Sequence, residues 1–388
     1  MELDLILKSY DSFFEKSLSS KFVKHSELIQ ILDRHSPDFE MEVVGSSFEG
    51  RELRMIKSGN GPCKIFLWSQ MHGDEATGTM ALLDLLNFLK QQPDSSVAKG
   101  MLDSCTLYLL PMVNPDGAQR LTRRNAQQID INRDFLLRAS PEARILRKVH
   151  DKICPAFGFN LHDQSNLWGV KGMSNPAVLS FLAPAFDEAC SLNANRTKAM
   201  QVIASIKDDL TEVLPGNIGL FDDTFEPRAF GDNFQAAGTA TILIEGGSII
   251  SDDSNQQVRK MFFGAMLAGL HAIATGSFLQ KTVQNYAAIP ENTKSLFHIL
   301  IRNIALFGIR TSIGINYKNM PAPDGSTMQR CYTIEDLGDL SLMQAHEVYD
   351  ADNMQIHGDI YVDSFANFDI LNGAETILSF KQGILQSK

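Results

Sequence analysis

His72 and Glu75 are the first residues in the chain whose types and spacing suit metal chemistry. They lie three positions apart, directly after the apolar segment 64–70 and before a segment with helical spacing of apolar residues. At a strand-to-helix junction both side chains can point to one place at the edge of a sheet, where open α/β folds bind ligands. An imidazole nitrogen and a carboxylate oxygen are two of the three protein ligands in His₂Glu zinc sites. Taken alone, this motif is a common chance match.

Two further polar residues close apolar segments. His162 ends the apolar segment 157–161, so it is a candidate for the third ligand, although a histidine satisfied within the core is the alternative for a lone strand-end position. Glu245 ends the apolar segment 240–244 and precedes two glycines. Because burying an acid is costly unless it is paired or functional, Glu245 is a candidate functional residue.

The elements that must position these residues alternate between strands and helices. Apolar runs predict strands at 41–44, 53–57, 64–70, 106–112, 157–161 and 241–244, and helical spacing is found at 8–35, 75–91, 141–149 and 198–213. Such alternation is typical of a layered α/β domain. Beyond residue 282 the chain changes to short alternating segments separated by turns. We therefore predict a catalytic domain at 1–282, with an N-terminal helical segment, and a small β-rich domain at 283–388.

Composition limits the class of protein. The chain has 388 residues, 44% of them hydrophobic, and a formal net charge of −11 from 35 basic and 46 acidic residues. These values are typical of an ordinary globular protein and exclude a coiled coil or a collagen-like chain. An acidic balance without basic runs makes nucleic acid an unsuitable partner.

Cysteine usage and hydropathy suggest a compartment. The five cysteines are scattered without a C-x-x-C pair, which predicts reduced thiols rather than a disulfide framework. The N-terminus lacks the pattern of a signal peptide, so we expect a cytoplasmic protein. The uncharged segment 261–279 is almost long enough to span a membrane, but its polar and small residues favour a buried helix. We expect no membrane partner.

Six segments, in order, resemble the zinc metallocarboxypeptidase family of the M14 type. They are GSSFEGREL at 45–53, MHGDEATGT at 71–79, NPDG at 114–117, RRNAQQIDINRDF at 123–135, LHD at 161–163 and TILIEGG at 241–247. The resemblance covers about residues 25–275. It implies an α/β fold in which a mixed central β-sheet is sandwiched by helices.

The resemblance also implies a metal centre. One zinc ion per chain would be bound by His72, Glu75 and His162. Asp130 would accept the other N–H of His72, which fixes the tautomer of the ring and raises its basicity.

Substrate and catalytic groups are implied in the same way. Asn132 and Arg133 would bind a terminal carboxylate, Arg123 would stabilise the developing oxyanion, and Glu245 would be the general base. Without the family, the arginines and Asp130 could equally form a solvated surface cluster.

These residues predict a zinc-dependent hydrolase that cleaves the C-terminal amide bond of small peptides. The alternative is an N-acyl amino acid deacylase of the aspartoacylase or succinylglutamate desuccinylase type, because both classes hydrolyse an amide next to a carboxylate. A non-catalytic binding protein would lack a ligand or the base, yet every principal position is filled. The loop at 217–232 should contribute to specificity, through acidic Asp222, Asp223 and Asp232 or through basic Arg228.

Overall fold

The computed structural model describes residues 3–93, 95–173, 175–250, 252–322 and 327–387. The chain folds into two compact units, Met1–Ser165 with Val170–Asn292, and Asn166–Gly169 with Thr293–Lys388.

The α-helices of the described residues belong to the first unit. They are α1 (Leu3–Lys8), α2 (His25–His35), α3 (Thr77–Gln91), α4 (Ser96–Ser104), α5 (Pro115–Arg120), α6 (Pro141–Ile153), α7 (Ala194–Leu210), α8 (Phe230–Ala236), α9 (Gln256–Thr275) and α10 (Val283–Ala287). Short 3₁₀ turns occur at Tyr10–Ser12, Ile131–Arg133 and Ser277–Gln280.

Strands are found along the whole chain. The earlier ones are β1 (Glu40–Ser46), β2 (Glu52–Ser58), β3 (Cys63–Ser69), β4 (Cys105–Leu110), β5 (Phe157–Asp163), β6 (Trp168–Val170), β7 (Leu179–Leu182), β8 (Ile218–Leu220) and β9 (Ala240–Gly246). The later ones are β10 (Asn292–Lys294), β11 (Leu296–Leu306), β12 (Ile309–Pro321), β13 (Met328–Gly338), β14 (Gln344–Asp350), β15 (Gln355–Asp359), β16 (Asn367–Asn372), β17 (Glu375–Lys381) and β18 (Ile384–Ser387).

An eight-stranded mixed sheet forms the centre of the first unit, in the order β1-β2-β4-β3-β5-β9-β7-β8. The neighbours β4, β3, β5 and β9 run parallel to one another. Three pairs are antiparallel: β1 with β2, β2 with β4, and β7 with β9. Parallel strands require crossover helices, which explains why apolar helices cover the sheet. The predicted α/β fold with a mixed central sheet is confirmed.

Side chains of β3 alternate between two cores. Ile65 and Leu67 pack in the cluster that contains the apolar residues of α3, α7 and α9. Phe66 and Trp68 pack in a second cluster with residues of α6 and α8. Because successive side chains of a strand point to opposite faces, both faces of the sheet are buried.

The N-terminal segment differs from the prediction. Helical spacing at 8–35 predicted helix there, but the structure confines α-helix in this range to α2, with the 3₁₀ turn at Tyr10–Ser12 before it. The backbone N–H of Glu15 and the carbonyl of Leu18 bond instead to the buried side chains of Asp84 and Arg259. These backbone groups therefore form tertiary hydrogen bonds instead of the i→i−4 hydrogen bonds of an α-helix.

Two long apolar helices follow the prediction. α3 falls within the range 75–91. α9 includes residues 261–275 of the uncharged segment and is buried along most of its length. In the described part of the chain, no helix combines the length and the apolar character needed to cross a membrane.

The second unit is rich in strands, as expected. One four-stranded sheet has the order β13-β12-β11-β14, and another has the order β15-β16-β17-β18. Apolar residues of both sheets form a separate hydrophobic core, which includes Ile301, Ile313 and Phe368.

Candidate active site

The three predicted ligands converge where β3 and β5 end. Nδ1 of His72 lies 2.7 Å from Oε1 of Glu75, and Nδ1 of His162 lies 2.8 Å from Oε2 of the same carboxylate. One donor atom from each of the three residues lies within 4.8 Å of the others. Burial opposes ionisation of Glu75, but the charge of His72 and the hydrogen bonds of both rings outweigh it and hold the pKa of Glu75 well below its usual value.

Asp130 connects the ligand His72 to Arg123. Oδ1 of Asp130 lies 3.2 Å from Nε2 of His72, and Oδ2 accepts hydrogen bonds from Nε and Nη2 of Arg123 at 3.1 and 3.0 Å. A proton on Nε2 of His72, donated to Asp130, would leave Nδ1 as the unprotonated nitrogen that a metal ion requires. The structure thus gives Asp130 the contact that the resemblance implied.

The donor set fits a divalent metal ion. Two imidazoles and one carboxylate are the protein ligands of His₂Glu zinc sites, and all three side chains are largely removed from solvent. Zinc needs a neutral ring nitrogen and an ionised carboxylate. The lowered pKa of Glu75 favours the ionised carboxylate, and the contact of Asp130 with Nε2 of His72 leaves Nδ1 as the ring nitrogen that faces the other two ligands.

Glu245 lies beside this cluster. It is the register partner of His162 across β9 and β5, and it is only 8% exposed. Among the described residues, its buried Oε2 has no hydrogen-bond partner. Burial, followed by the charges of Glu75 and Asp163, raises the pKa of Glu245 well above its usual value. A carboxyl group in such surroundings is suited to accept and return a proton.

Asp163 is a further acidic residue of this site. Its Oδ2 accepts a hydrogen bond from the backbone N–H of Thr77, the first residue of α3, at 3.1 Å. Its own N–H donates to Oε2 of Glu75 at 3.2 Å. Burial raises the pKa of Asp163 to about 7. The signal available in the sequence was its position directly after the strand-end His162.

Asn132 and Arg133 lie in the 3₁₀ turn that begins after Asp130. The N–H of Asn132 donates to Oδ1 of Asp130 at 3.0 Å, which ties this turn to the metal-ligand cluster. Oδ1 of Asn132 accepts from the N–H of Phe230, the first residue of α8, at 3.0 Å. The amide group of Asn132 therefore keeps its N–H donors for another partner.

Charged side chains of the loop at 217–232 pair with one another and with arginines elsewhere in the fold. Arg196 donates to both oxygens of Asp223, and Asp232 accepts from the N–H of Glu226 at 2.9 Å. Arg228 pairs with Glu226, which also contacts Arg133. The sequence analysis had named the acids and Arg228 as specificity candidates but had overlooked Glu226, two positions before Arg228.

The fold and the site together define an α/β protein with a candidate His₂Glu metal site. A family model described as zinc carboxypeptidase matches residues 25–168, a range that includes His72, Glu75, Asp130 and His162. Over these residues the chain is similar to the zinc carboxypeptidase family, which confirms the resemblance seen in the sequence for this part of the chain. Glu245 lies outside the matched segment.

Curated relatives match over short segments. Carboxypeptidase SOL1 of Arabidopsis thaliana is 33% identical over 102 residues, which cover 24% of this chain and 20% of that protein. Carboxypeptidase 2 of Trichophyton rubrum is 30% identical over 130 residues, which cover 34% of this chain and 22% of that protein. The match therefore spans about a fifth of the length of these relatives.

Solved structures show the same fold over two thirds of the chain. A metallo-carboxypeptidase from Burkholderia cenocepacia superimposes with a TM-score of 0.53 at 16% identity, covering 66% of this chain and 70% of that one. A metallo-carboxypeptidase from Pseudomonas aeruginosa gives a TM-score of 0.51 at 18% identity, with coverage of 66% and 70%. None of these similarities favours the deacylase alternative.

Proposed function

We propose that the protein is a zinc-dependent carboxypeptidase that hydrolyses the C-terminal amide bond of small peptides, with one zinc ion per chain. One observation carries the proposal: two ring nitrogens face the two oxygens of Glu75, and Glu245, whose Oε2 has no hydrogen-bond partner among the described residues, lies in register with one of those rings. The match of residues 25–168 to the zinc carboxypeptidase family model and the fold of solved metallo-carboxypeptidases support it.

His72, Glu75 and His162 would hold the zinc ion, which when bound supplies a Lewis acid and lowers the pKa of a water molecule in the site. Oε2 of Glu245 would accept a proton from the attacking water and return it to the leaving amine. Because this carboxyl is buried, its proton affinity is high enough for both transfers.

The two arginines would bind two different oxygen groups of the peptide, the scissile carbonyl and the terminal carboxylate. Nη1 of Arg123 lies 3.1 Å from Oε1 of Glu75, so its guanidinium is close enough to the ligands to donate to the scissile carbonyl oxygen as negative charge develops there. Arg133 and the amide of Asn132 would bind the terminal carboxylate of the peptide, through the forked geometry that suits a guanidinium.

The test separates metal binding from proton transfer. The purified protein should contain zinc, and chelation should abolish hydrolysis of short peptides. Glu245→Gln should retain zinc but lose about 10²–10⁴-fold in kcat, the usual contribution of general acid–base catalysis. Glu212→Gln, a change at an exposed glutamate, serves as the control.

A substrate panel tests the reaction class. Peptides with a free C-terminal carboxylate should be cleaved, whereas the same peptides with an amidated C-terminus should not. N-acyl amino acids form the comparison series. Chelator-resistant hydrolysis, full activity of Glu245→Gln, or turnover of acyl amino acids alone would each overturn the proposal.

A further inference from the structure

Two cysteines far apart in sequence meet at the opposite end of the strand that leads to the metal ligands. Cys63 is the first residue of β3 and Cys105 is the first residue of β4. These parallel strands pair in register, with Cys63 opposite Cys105. Neighbouring strands lie roughly 4.7–4.9 Å apart, which falls within the range of about 4.4–6.8 Å between the Cα atoms of disulfide-bonded cysteines. Backbone geometry thus allows a bond between these two residues.

The two thiols differ in exposure, since Cys105 is buried and Cys63 is only partly buried. The interaction with the neighbouring Cys105 side chain, helped by the positive charge of Lys198 and opposed by burial, lowers the pKa of Cys63. The same interaction raises the pKa of Cys105. Cys63 is therefore the more reactive thiol, because thiolates are the nucleophiles in disulfide exchange.

A cavity lies beside the loop that precedes β3. It has a volume of about 440 Å³ and is lined in part by Gly59, Asn60 and Leu102. This loop is bonded to the backbone next to the cysteines, since the N–H of Asn60 donates to the carbonyl of Leu102 and the N–H of Gly61 donates to that of Cys105. The loop leads directly to Cys63, which is itself only partly buried.

We propose that Cys63 and Cys105 form a site of reversible oxidation, at which a small-molecule disulfide such as oxidised glutathione converts the two thiols into an intramolecular disulfide. The thiolate of Cys63 would attack one sulfur of the small disulfide, break its S–S bond and release one small thiol. Cys105 would then lose its proton to solvent and attack Sγ of Cys63, which expels the second small thiol. The protein loses two electrons and two protons, and the small disulfide is reduced to two thiols.

The second step becomes easier once the first has occurred. The pKa of Cys105 is raised mainly by its interaction with the Cys63 side chain, then by burial, then by the negative charge of Cys63. Formation of the mixed disulfide removes the thiolate of Cys63 and, with it, the interactions that depend on that thiolate. Cys105 is thereby left beside an activated sulfur with a lower barrier to deprotonation.

The test uses the full-length chain, oxidised glutathione and alkylation of the remaining thiols with N-ethylmaleimide. In the wild type, intact mass should show the loss of two alkylation sites with no added glutathione, and peptide mapping should give a linked pair containing Cys63 and Cys105. Dithiothreitol should restore both sites. This measurement needs no variant, so it does not depend on how a substitution affects folding.

Single substitutions test which of the two cysteines reacts first. Cys105→Ser should stop with one glutathione on residue 63, and Cys63→Ser should leave Cys105 alkylatable. Cys190→Ser is the matched control, because Cys190 is also partly buried but its sulfur donates to the backbone carbonyl of Asp223; it should behave as the wild type. Persistent alkylation of both Cys63 and Cys105 after oxidation, or a disulfide that uses another cysteine, would overturn the proposal.

Discussion

Oε2 of Glu226 lies 3.0 Å from Nε of Arg133, the arginine proposed to bind the substrate carboxylate. On its other side, Nη1 of Arg133 donates to the carbonyl of Asn132 at 2.8 Å. Hydrogen bonds from Arg228 lower the pKa of Glu226 to about 2, so this carboxylate is ionised at neutral pH. Arg133 is therefore held at two of its nitrogens, which leaves Nη2 available for a ligand.

Removal of Glu226 should weaken substrate binding without changing the chemical step. In Glu226→Ala the guanidinium of Arg133 loses one of its two contacts and gains rotational freedom, so we expect KM for peptides with a free carboxylate to rise about fivefold, or about 1 kcal/mol. The value of kcat should stay close to that of the wild type. Steady-state kinetics on one peptide series measures both parameters.

Two variants make that measurement specific. Glu226→Gln keeps an oxygen acceptor and should recover most of the affinity. Asp222→Asn is the control, because it changes a carboxylate of the same loop whose hydrogen bonds among the described residues come from Thr224. A fall in KM in both Glu226 variants would instead mean that Glu226 competes with the substrate for Arg133.

Asp130 should contribute to metal affinity through His72. In Asp130→Ala the far nitrogen of His72 loses its acceptor, so the ring loses both its fixed tautomer and part of its basicity. We expect zinc affinity to fall about 10–100-fold, measured by competition with a fluorescent chelator. Asp103→Ala, at an exposed residue paired with Lys99, should leave the affinity unchanged. Unaltered zinc affinity in Asp130→Ala would contradict the positioning role.

The buried pair of Asp84 on α3 and Arg259 on α9 should matter strongly for stability. Both side chains are fully buried, and Arg259 donates to the two carboxylate oxygens at 2.6 and 2.7 Å. Asp84→Ala leaves a buried guanidinium unpaired, which should lower the free energy of unfolding by about 3–5 kcal/mol. Urea denaturation measures this change.

Controls for that prediction come from an exposed pair and from a double variant. Asp4→Ala removes the surface partner of Lys8 and should change stability by less than about 1 kcal/mol. The double variant Asp84→Leu with Arg259→Met should regain part of the loss, since no unpaired charge remains although the backbone of Glu15 and Leu18 loses its partners. Equal losses in the single and double variants would show that packing, not charge pairing, dominates.

The convergence of the three candidate metal ligands could be predicted from sequence because residue type and strand-end position are local properties. His72, Glu75 and His162 each lie at or just beyond the end of an apolar run, and parallel strands bring such ends to one edge. The fold class followed in the same way from alternation of strands and helices.

Contacts that depend on neighbouring elements could not be predicted. Cys63 faces Cys105 only because β3 and β4 happen to pair in register, and Glu226 reaches Arg133 only because the loop at 217–232 returns to the turn that follows Asp130. The segment around Glu15 lost its predicted helix for a similar reason, since its backbone bonds to a residue that is distant in the chain. Local patterns contain no information about such partners.

Asp232 should make stability depend on pH. Burial is the main cause that raises its pKa from 3.8 to about 6, and the nearby charge of Glu226 adds to this effect while Arg133 opposes it. Because the folded state binds this proton more tightly than the unfolded state, the contribution of Asp232 to stability is greatest below about pH 4. It declines as the pH rises to about 6 and stays low above that value.

Asp232→Asn should therefore stabilise the protein at neutral pH. The amide oxygen of the new side chain can still accept the hydrogen bond from the N–H of Glu226. The full shift corresponds to about 3 kcal/mol, and partial exposure to solvent should reduce this to about 1–2 kcal/mol at pH 7.5. Near pH 4 the variant and the wild type should have the same free energy of unfolding in urea. A gain that is equal at both pH values would show that the carboxyl of Asp232 does not titrate differently in the folded state.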